Sequence, residues 1–255
     1  MTNRVIRSVL VCAAAVSIAP AQAPNAKAIS TPLPRTADGH PKIAGVWQGG
    51  GVSLVGEAGA PPKYAPQAIA VQMPRREPLS YQPWAAEKQK TFTANDDPSL
   101  FCLLPGVPRI TTQPFPLEIV QTPEKIVILY EAFRVFRNIP VDANLKHPDD
   151  MTPTWMGDSV AKWDGDTLVV DIKGFNDKTW IAGTGSIHTE EMHVVERYTL
   201  NPDGTLSYLA TVEDPKALTK PWTTGAVLRK PVNVRIEEYE CNENNQDVPH
   251  MKAGK

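Results

Sequence analysis

A series of short apolar–polar alternations separated by tight turns constrains this chain more than any other feature. Phe115–Gln121 and Lys125–Glu131 flank Pro123-Glu124, and Ser159–Asp164 and Asp166–Ile172 flank Asp164-Gly165. Ile187–Leu200 and Thr205–Glu213 flank Asn201-Pro202-Asp203-Gly204, and Val232–Glu240 is the last run. Near the start, Ala44–Gln48 and Val52–Val55 flank Gly49-Gly50-Gly51. A period of two sends successive side chains to opposite faces of a strand. In Asp166–Ile172, Leu168, Val170 and Ile172 share one face, opposite Thr167, Val169 and Asp171. Asp-Gly is a strong hairpin signal. Many short strands joined in this way predict an all-β, mainly antiparallel fold. A barrel or a sandwich fits, a lipocalin-like barrel among them, and a parallel sheet does not.

Proline bounds the rest. The chain holds 25 prolines in 255 residues, about twice ordinary usage, and they crowd residues 32–123. Long helices are excluded there, and one short helix is expected at 83–91, opened by Pro83. We expect one β-rich domain over 29–255, with 29–114 Pro-rich and largely irregular.

The first residues carry Arg4 and Arg7, then an apolar run from Val9 to Ala19, then small residues. That layout predicts a secretory signal peptide over 1–23, cut within 21–28. The apolar run is shorter than the roughly 20 residues that cross a bilayer, and no later segment is longer, so the chain is not expected to span a membrane. Cleavage removes two arginines and no acid, turning the net charge from −2 to −4. No Lys/Arg cluster marks a nucleic-acid partner. Cys12 leaves with the signal peptide, and Cys102 and Cys241 remain. An even count in an exported chain predicts one disulfide between them, joining the Pro-rich part to the last expected strand.

Several motifs resemble a family of exported bacterial proteins described as hypothetical. They are Pro153-Thr154-Trp155-Met156-Gly157-Asp158-Ser159, Trp163-Asp164-Gly165-Asp166-Thr167-Leu168-Val169-Val170-Asp171, Gly174-Phe175-Asn176-Asp177 and His193-Val194-Val195-Glu196-Arg197-Tyr198. The resemblance extends to Gly45-Val46-Trp47, to Pro105-Gly106-Val107-Pro108-Arg109 beside Cys102, and to Glu213-Asp214-Pro215. It implies export and a single β-rich unit, and it carries no activity.

The stretch Ile187–Tyr198 holds the densest chemistry. Read as a strand, it puts His188, Glu190, Met192, Val194, Glu196 and Tyr198 on one face, and Glu191, His193, Val195 and Arg197 on the other. The first face ends apolar and is expected to point inward. Glu196 then needs a partner, a shifted pKa or a wet cavity. A buried arginine such as Arg134 or Arg137 would satisfy it. His193 is the expected general base, oriented by Glu191 or another acid, with Glu196 and Asp158 as further catalytic carboxylates. Arg109, Trp155, His188 and Arg134 are the expected substrate-binding residues. Trp47, Trp155, Trp163, Trp180 and Trp222 line either a ligand cavity or the core. No metal site is favoured; His188, Glu191 and His193 would be its ligands if one existed. Histidines five apart on a straight strand face opposite ways, so only a bulge or loop at 187–190 would bring both to one ion.

The chain has no Gly-x-Ser-x-Gly elbow, no phosphate-cradling Gly-Lys-Ser/Thr loop and no dinucleotide fingerprint. The function expected from these residues is an exported enzyme using acid–base chemistry on a small organic substrate. Its reaction would be of lyase, isomerase, hydratase or hydrolase type, without an organic cofactor. A periplasmic β-barrel that binds a small ligand is the alternative, and a structural envelope protein the third.

Overall fold

A computed structural model describes residues 32–49 and 78–243. The expected signal peptide and the expected strand Val52–Val55 lie outside the described residues. Nine antiparallel strands form one sheet: β1 (Gly45–Gly49), β2 (Pro116–Gln121), β3 (Lys125–Tyr130), β4 (Val135–Pro140), β5 (Asp158–Asp164), β6 (Thr167–Lys173), β7 (His193–Leu200), β8 (Leu206–Glu213) and β9 (Trp222–Arg229). Their spatial order is β4-β3-β2-β1-β9-β8-β7-β6-β5. Two hairpin ladders thus meet where β1 pairs with both β2 and β9.

The free edges, β4 and β5, come together at a seam. A single parallel bridge, Val141 to Ala161, joins them in the backbone, and the Asp142 N–H donates to the Ala161 carbonyl at 2.9 Å. The sheet is therefore a nearly closed barrel. One residue of every alternating pair points inward. Trp47, Leu117, Ile119, Ile126, Ile128, Leu168, Val170, Val194, Tyr198, Leu206, Tyr208 and Leu228 build the core. Closure removes most of the exposed edge that would otherwise template aggregation.

The expected helix is present as α1 (Pro83–Gln89), with Pro83 at its first position and Ala85 buried. Trp180, Ile187 and Ala217 pack with Ala85 in a small second cluster. The predicted disulfide is present between Cys102 and Cys241, whose Cα atoms are 5.6 Å apart.

Three expectations are corrected. Ile187–Leu200 is a strand only from His193. The buried Asp214 carboxylate accepts from the Thr189 N–H at 2.6 Å and hydroxyl at 2.9 Å, and the Met192 N–H donates to the Thr189 carbonyl at 3.1 Å. These bonds fold 187–192 into a turn. Val232–Glu240 is not a strand. β9 already has β8 on one side and β1 on the other, so a following run finds no ladder to join, and Val232 is 85% exposed. The disulfide accordingly ends in an irregular tail. Finally, β4 and β9 are strands that the turn signals did not announce.

Candidate functional site

Register sets the outer face of β5–β8. Asp158 lies opposite Lys173 on β6, and Asp171 lies two residues along from Lys173. Val194 pairs with Ile172, and His193 lies opposite Glu213 on β8. Period-two alternation therefore points Asp158, Asp171, His193 and Glu213 outward on neighbouring strands. Gly157, which precedes Asp158, has φ +69°. A Cβ there would stand 2.8 Å from the Lys173 carbonyl oxygen and 2.7 Å from Ile172 Cγ2. Only glycine lets the chain enter β5 this close to β6, and that closeness places Asp158 near Asp171.

The acids and imidazoles on this face form a chain. His193 Nε2 is 2.8 Å from Asp171 Oδ2, and Asp171 Oδ1 is 2.8 Å from Nε2 of His147. The other ring nitrogen of His147, Nδ1, is 2.6 Å from Asp158 Oδ1. His147 comes from the loop between β4 and β5 and drops onto the sheet. Both of its ring nitrogens face carboxylate oxygens, so it makes both bonds only in its doubly protonated form. His193 differs. Its Nε2 donates to Asp171, while its Nδ1 is 3.8 Å from Glu213 Oε2, beyond hydrogen-bonding distance. The Asp171 contact therefore fixes the tautomer and leaves the Nδ1 lone pair free. The ring is 26% exposed, so a solute can reach it.

Asp171 is the electrostatic centre. The hydrogen bond from His193 holds its pKa down at about 2; burial opposes this, and His147 adds to it. A carboxylate depressed in this way adds stability that is fully present above the ordinary value of 3.8 and is lost as pH falls through about 2. Carboxyl-carbon NMR should give Asp171 a midpoint near 2, and His193→Gln should move that midpoint up toward the ordinary range. A wild-type midpoint near 4 would contradict the geometry.

A groove of about 1010 Å³ borders this chain. Val160, Lys162, Val169, Asp171, Lys173 and Arg197 form its floor, and the loop carrying Leu145, Lys146, His147 and Met151 forms its roof. Trp163 lines it too and stacks on His40 with ring centroids 4.6 Å apart.

Of the site residues expected from sequence, Asp158 and His193 belong to one network, joined through His147 and Asp171. The others stand apart from it. Glu196 is on the inner face of β7, fully buried, and accepts from Arg137 at 2.7 Å and from the Tyr208 hydroxyl at 2.8 Å. Glu191 does not orient His193; it pairs with Lys216 at 2.9 Å on the surface. His188 is buried, with Nε2 2.6 Å from the Thr179 hydroxyl and Nδ1 3.0 Å from the Thr189 carbonyl. Burial pushes its pKa down, in keeping with a neutral imidazole that donates from Nδ1 and accepts at Nε2. Arg109 is spent on Asp97, two of its nitrogens meeting both carboxylate oxygens, and Arg134 reaches Glu240 in the tail. Arg109 overcomes the burial of Asp97 and holds its pKa below the ordinary range. Trp155 is half-buried against the core, with the Lys178 ammonium 6.0 Å from its ring centre.

Among the described residues, no three histidine, cysteine or carboxylate side chains are grouped to hold a metal ion, and His188, Glu191 and His193 point three separate ways. Trp47 and Trp222 are core residues, and Trp180 belongs to the cluster under α1. Sequence reasoning passed over His147 and left Asp171 as a surface residue of its strand. The alternation of β6 carried a signal for Asp171, since it faces the side opposite Val170. Nothing local marks His147. Among the described residues, no helix is long and apolar enough to cross a membrane. In comparisons with protein-family models and with curated proteins, the sequence matches none.

Proposed function

We propose that this protein is an exported enzyme that uses acid–base chemistry on a small organic substrate on the outer face of the barrel, where His193 stands beside the groove, next to its lining residue Asp171. The observation that carries this reading is the Asp171–His193 contact. A carboxylate fixes one imidazole nitrogen at 2.8 Å and leaves the other unbonded on a partly open ring. This is the arrangement by which a carboxylate orients a general base and stabilises the imidazolium formed when it takes a proton. His193 Nδ1 is the base, Asp171 is its orienting acid, and the His147–Asp158 pair holds Asp171 in place. The reaction is of lyase, isomerase, hydratase or hydrolase type. Two features favour the outer groove over the barrel interior: the groove is open, and Trp47, Tyr198, Tyr208 and the Arg137–Glu196 pair occupy the interior. Export follows from the charged, apolar and small-residue layout of the first 23 residues and agrees with the disulfide, which persists in oxidising compartments.

The test compares wild type with His193→Gln on a mixture of small organic acids, esters and hydroxy compounds, with products followed by NMR. Glutamine keeps a hydrogen bond to Asp171 and removes the titrating group. The variant should melt within a few degrees of wild type and lose about 10²–10⁴-fold in turnover. Full turnover in the variant would place the base elsewhere. If neither protein turns anything over, the catalytic reading fails.

A further inference from the structure

The groove's cations are unevenly matched. Lys146, Lys162 and Lys173 line it, and their ammonium groups make no hydrogen bond or ion pair with any described residue. Most of its acids are committed. Asp164 accepts from Arg197 at 2.8 Å, Asp171 is shared by two histidines, and Asp142 Oδ1 caps the Asn144 N–H at 2.8 Å. Asp149 is the remaining carboxylate on the lining. Register places the two sheet lysines on either side of Asp171: Lys162 opposite Val169, and Lys173 two residues beyond Asp171 in the other direction. Val169 and Lys173 are four steps apart along β6, so these attachment points are roughly 13 Å apart along the sheet. Two flexible ammonium groups can close on one small solute from that spacing. The surface between and above them is apolar: Val160 and Val169 in the floor, Leu145 and Met151 in the roof.

We infer that the groove binds a small carboxylate with an apolar body, aryl or branched alkyl, its charge held by Lys162 and Lys173 and its body laid on Val160 and Val169. This inference rests on the reading of the groove as the substrate site and names the substrate class. An ammonium held by an exposed strand is a compact point charge that needs no particular acceptor geometry, so the apolar walls select the body of the ligand and the lysines select its charge. A neutral molecule of the same shape gains only the apolar part of that recognition. Binding also sets the anion beside Asp171, both of whose carboxylate oxygens are already engaged by the His147 and His193 rings.

The experiment uses the full exported chain, with benzoate and its neutral isostere benzamide as probes. Backbone amide shifts are followed by NMR. Benzoate should move the resonances of residues 160–173 saturably, and benzamide should leave them in place. Lys162→Gln with Lys173→Gln should weaken benzoate at least tenfold without lowering the melting temperature. The matching arginine pair should bind within a few-fold of wild type. Equal binding of both probes, benzoate shifts confined to other regions, or full affinity in the glutamine pair would each overturn the inference. His193→Gln separates this inference from the catalytic reading, because it should still bind benzoate. Benzoate binding without His193-dependent turnover would remove the enzyme and keep the anion site. Turnover of an uncharged substrate without benzoate binding would remove the anion site alone.

Discussion

Arg137→Met should destabilise the protein by about 3–5 kcal/mol in a urea titration, the cost typical of removing one partner from a buried ion pair. Arg137 and Glu196 have side chains 3% and 0% exposed, with nitrogen and oxygen 2.7 Å apart. Burial alone would lower the pKa of Arg137, but the adjacent Glu196 carboxylate outweighs it and the group is held well above its ordinary value. Arg137 also crosses the seam. From β4 it donates to the Ser159 hydroxyl on β5 at 3.0 Å, where the backbone supplies a single bridge. Methionine keeps much of the volume and none of these bonds. Only the Tyr208 hydroxyl would remain on Glu196. The double variant Arg137→Met/Glu196→Leu should recover most of the loss, because replacing both charges by apolar groups is often close to neutral. The buried Arg137 Nε, which has no hydrogen-bond partner, adds to that expectation. A single variant within 1 kcal/mol of wild type would show that the pair does not brace the barrel.

The same strand explains what could be read from sequence. Alternation placed Val194, Glu196, Tyr198 and Leu200 inside, and all four are buried. The same alternation forbids His193 and Glu196 from sharing a site, since residues three apart on a strand face opposite ways. Turn residues located seven of the nine strands. β4 escaped because Arg137, Asn138 and Pro140 dilute its β-formers, and its inward arginine makes sense only once Glu196 is known to be its partner. β9 escaped because Gly225 and Ala226 weaken its propensity, although both of its neighbours in the sheet hold it in place. Val232–Glu240 had the right period and no open edge to pair with, which no local pattern reveals. The candidate site was half legible for the same reason. His193 and Asp158 are conspicuous residue types in dense segments. The Asp171–His193 contact depends on the pairing of β6 with β7, and His147 arrives from a loop whose path depends on closure of the barrel.

Reduction of Cys102–Cys241 should produce the other large loss, up to about 5 kcal/mol. The cysteines are 139 residues apart in sequence, and the loop they close holds β2 through β9. Cross-linking a loop of that length removes roughly 5 kcal/mol of closure entropy from the unfolded chain in the chain-entropy model. The native state sets how much of this is realised. If the tail were loosely held, reduction would also give the folded protein new freedom and offset part of the loss. The tail is instead fixed at several points. Tyr239 packs edge-on to Phe115 with centroids 5.3 Å apart, Glu240 meets Arg134 at 2.5 Å, and the Glu237 N–H donates to Glu131 at 3.0 Å. The Arg134 pair is exposed and worth little alone, so the aromatic contact and the bridge carry most of the attachment. Cys102→Ser/Cys241→Ser, unfolded in urea beside oxidised wild type, should fall by 3 kcal/mol or more, with a steeper dependence on denaturant because the unlinked denatured chain exposes more surface. A loss under 1 kcal/mol would mean that the tail detaches from a barrel that stands without it. Free thiols at both Cys102 and Cys241 in the denatured protein would mean that the bridge does not form.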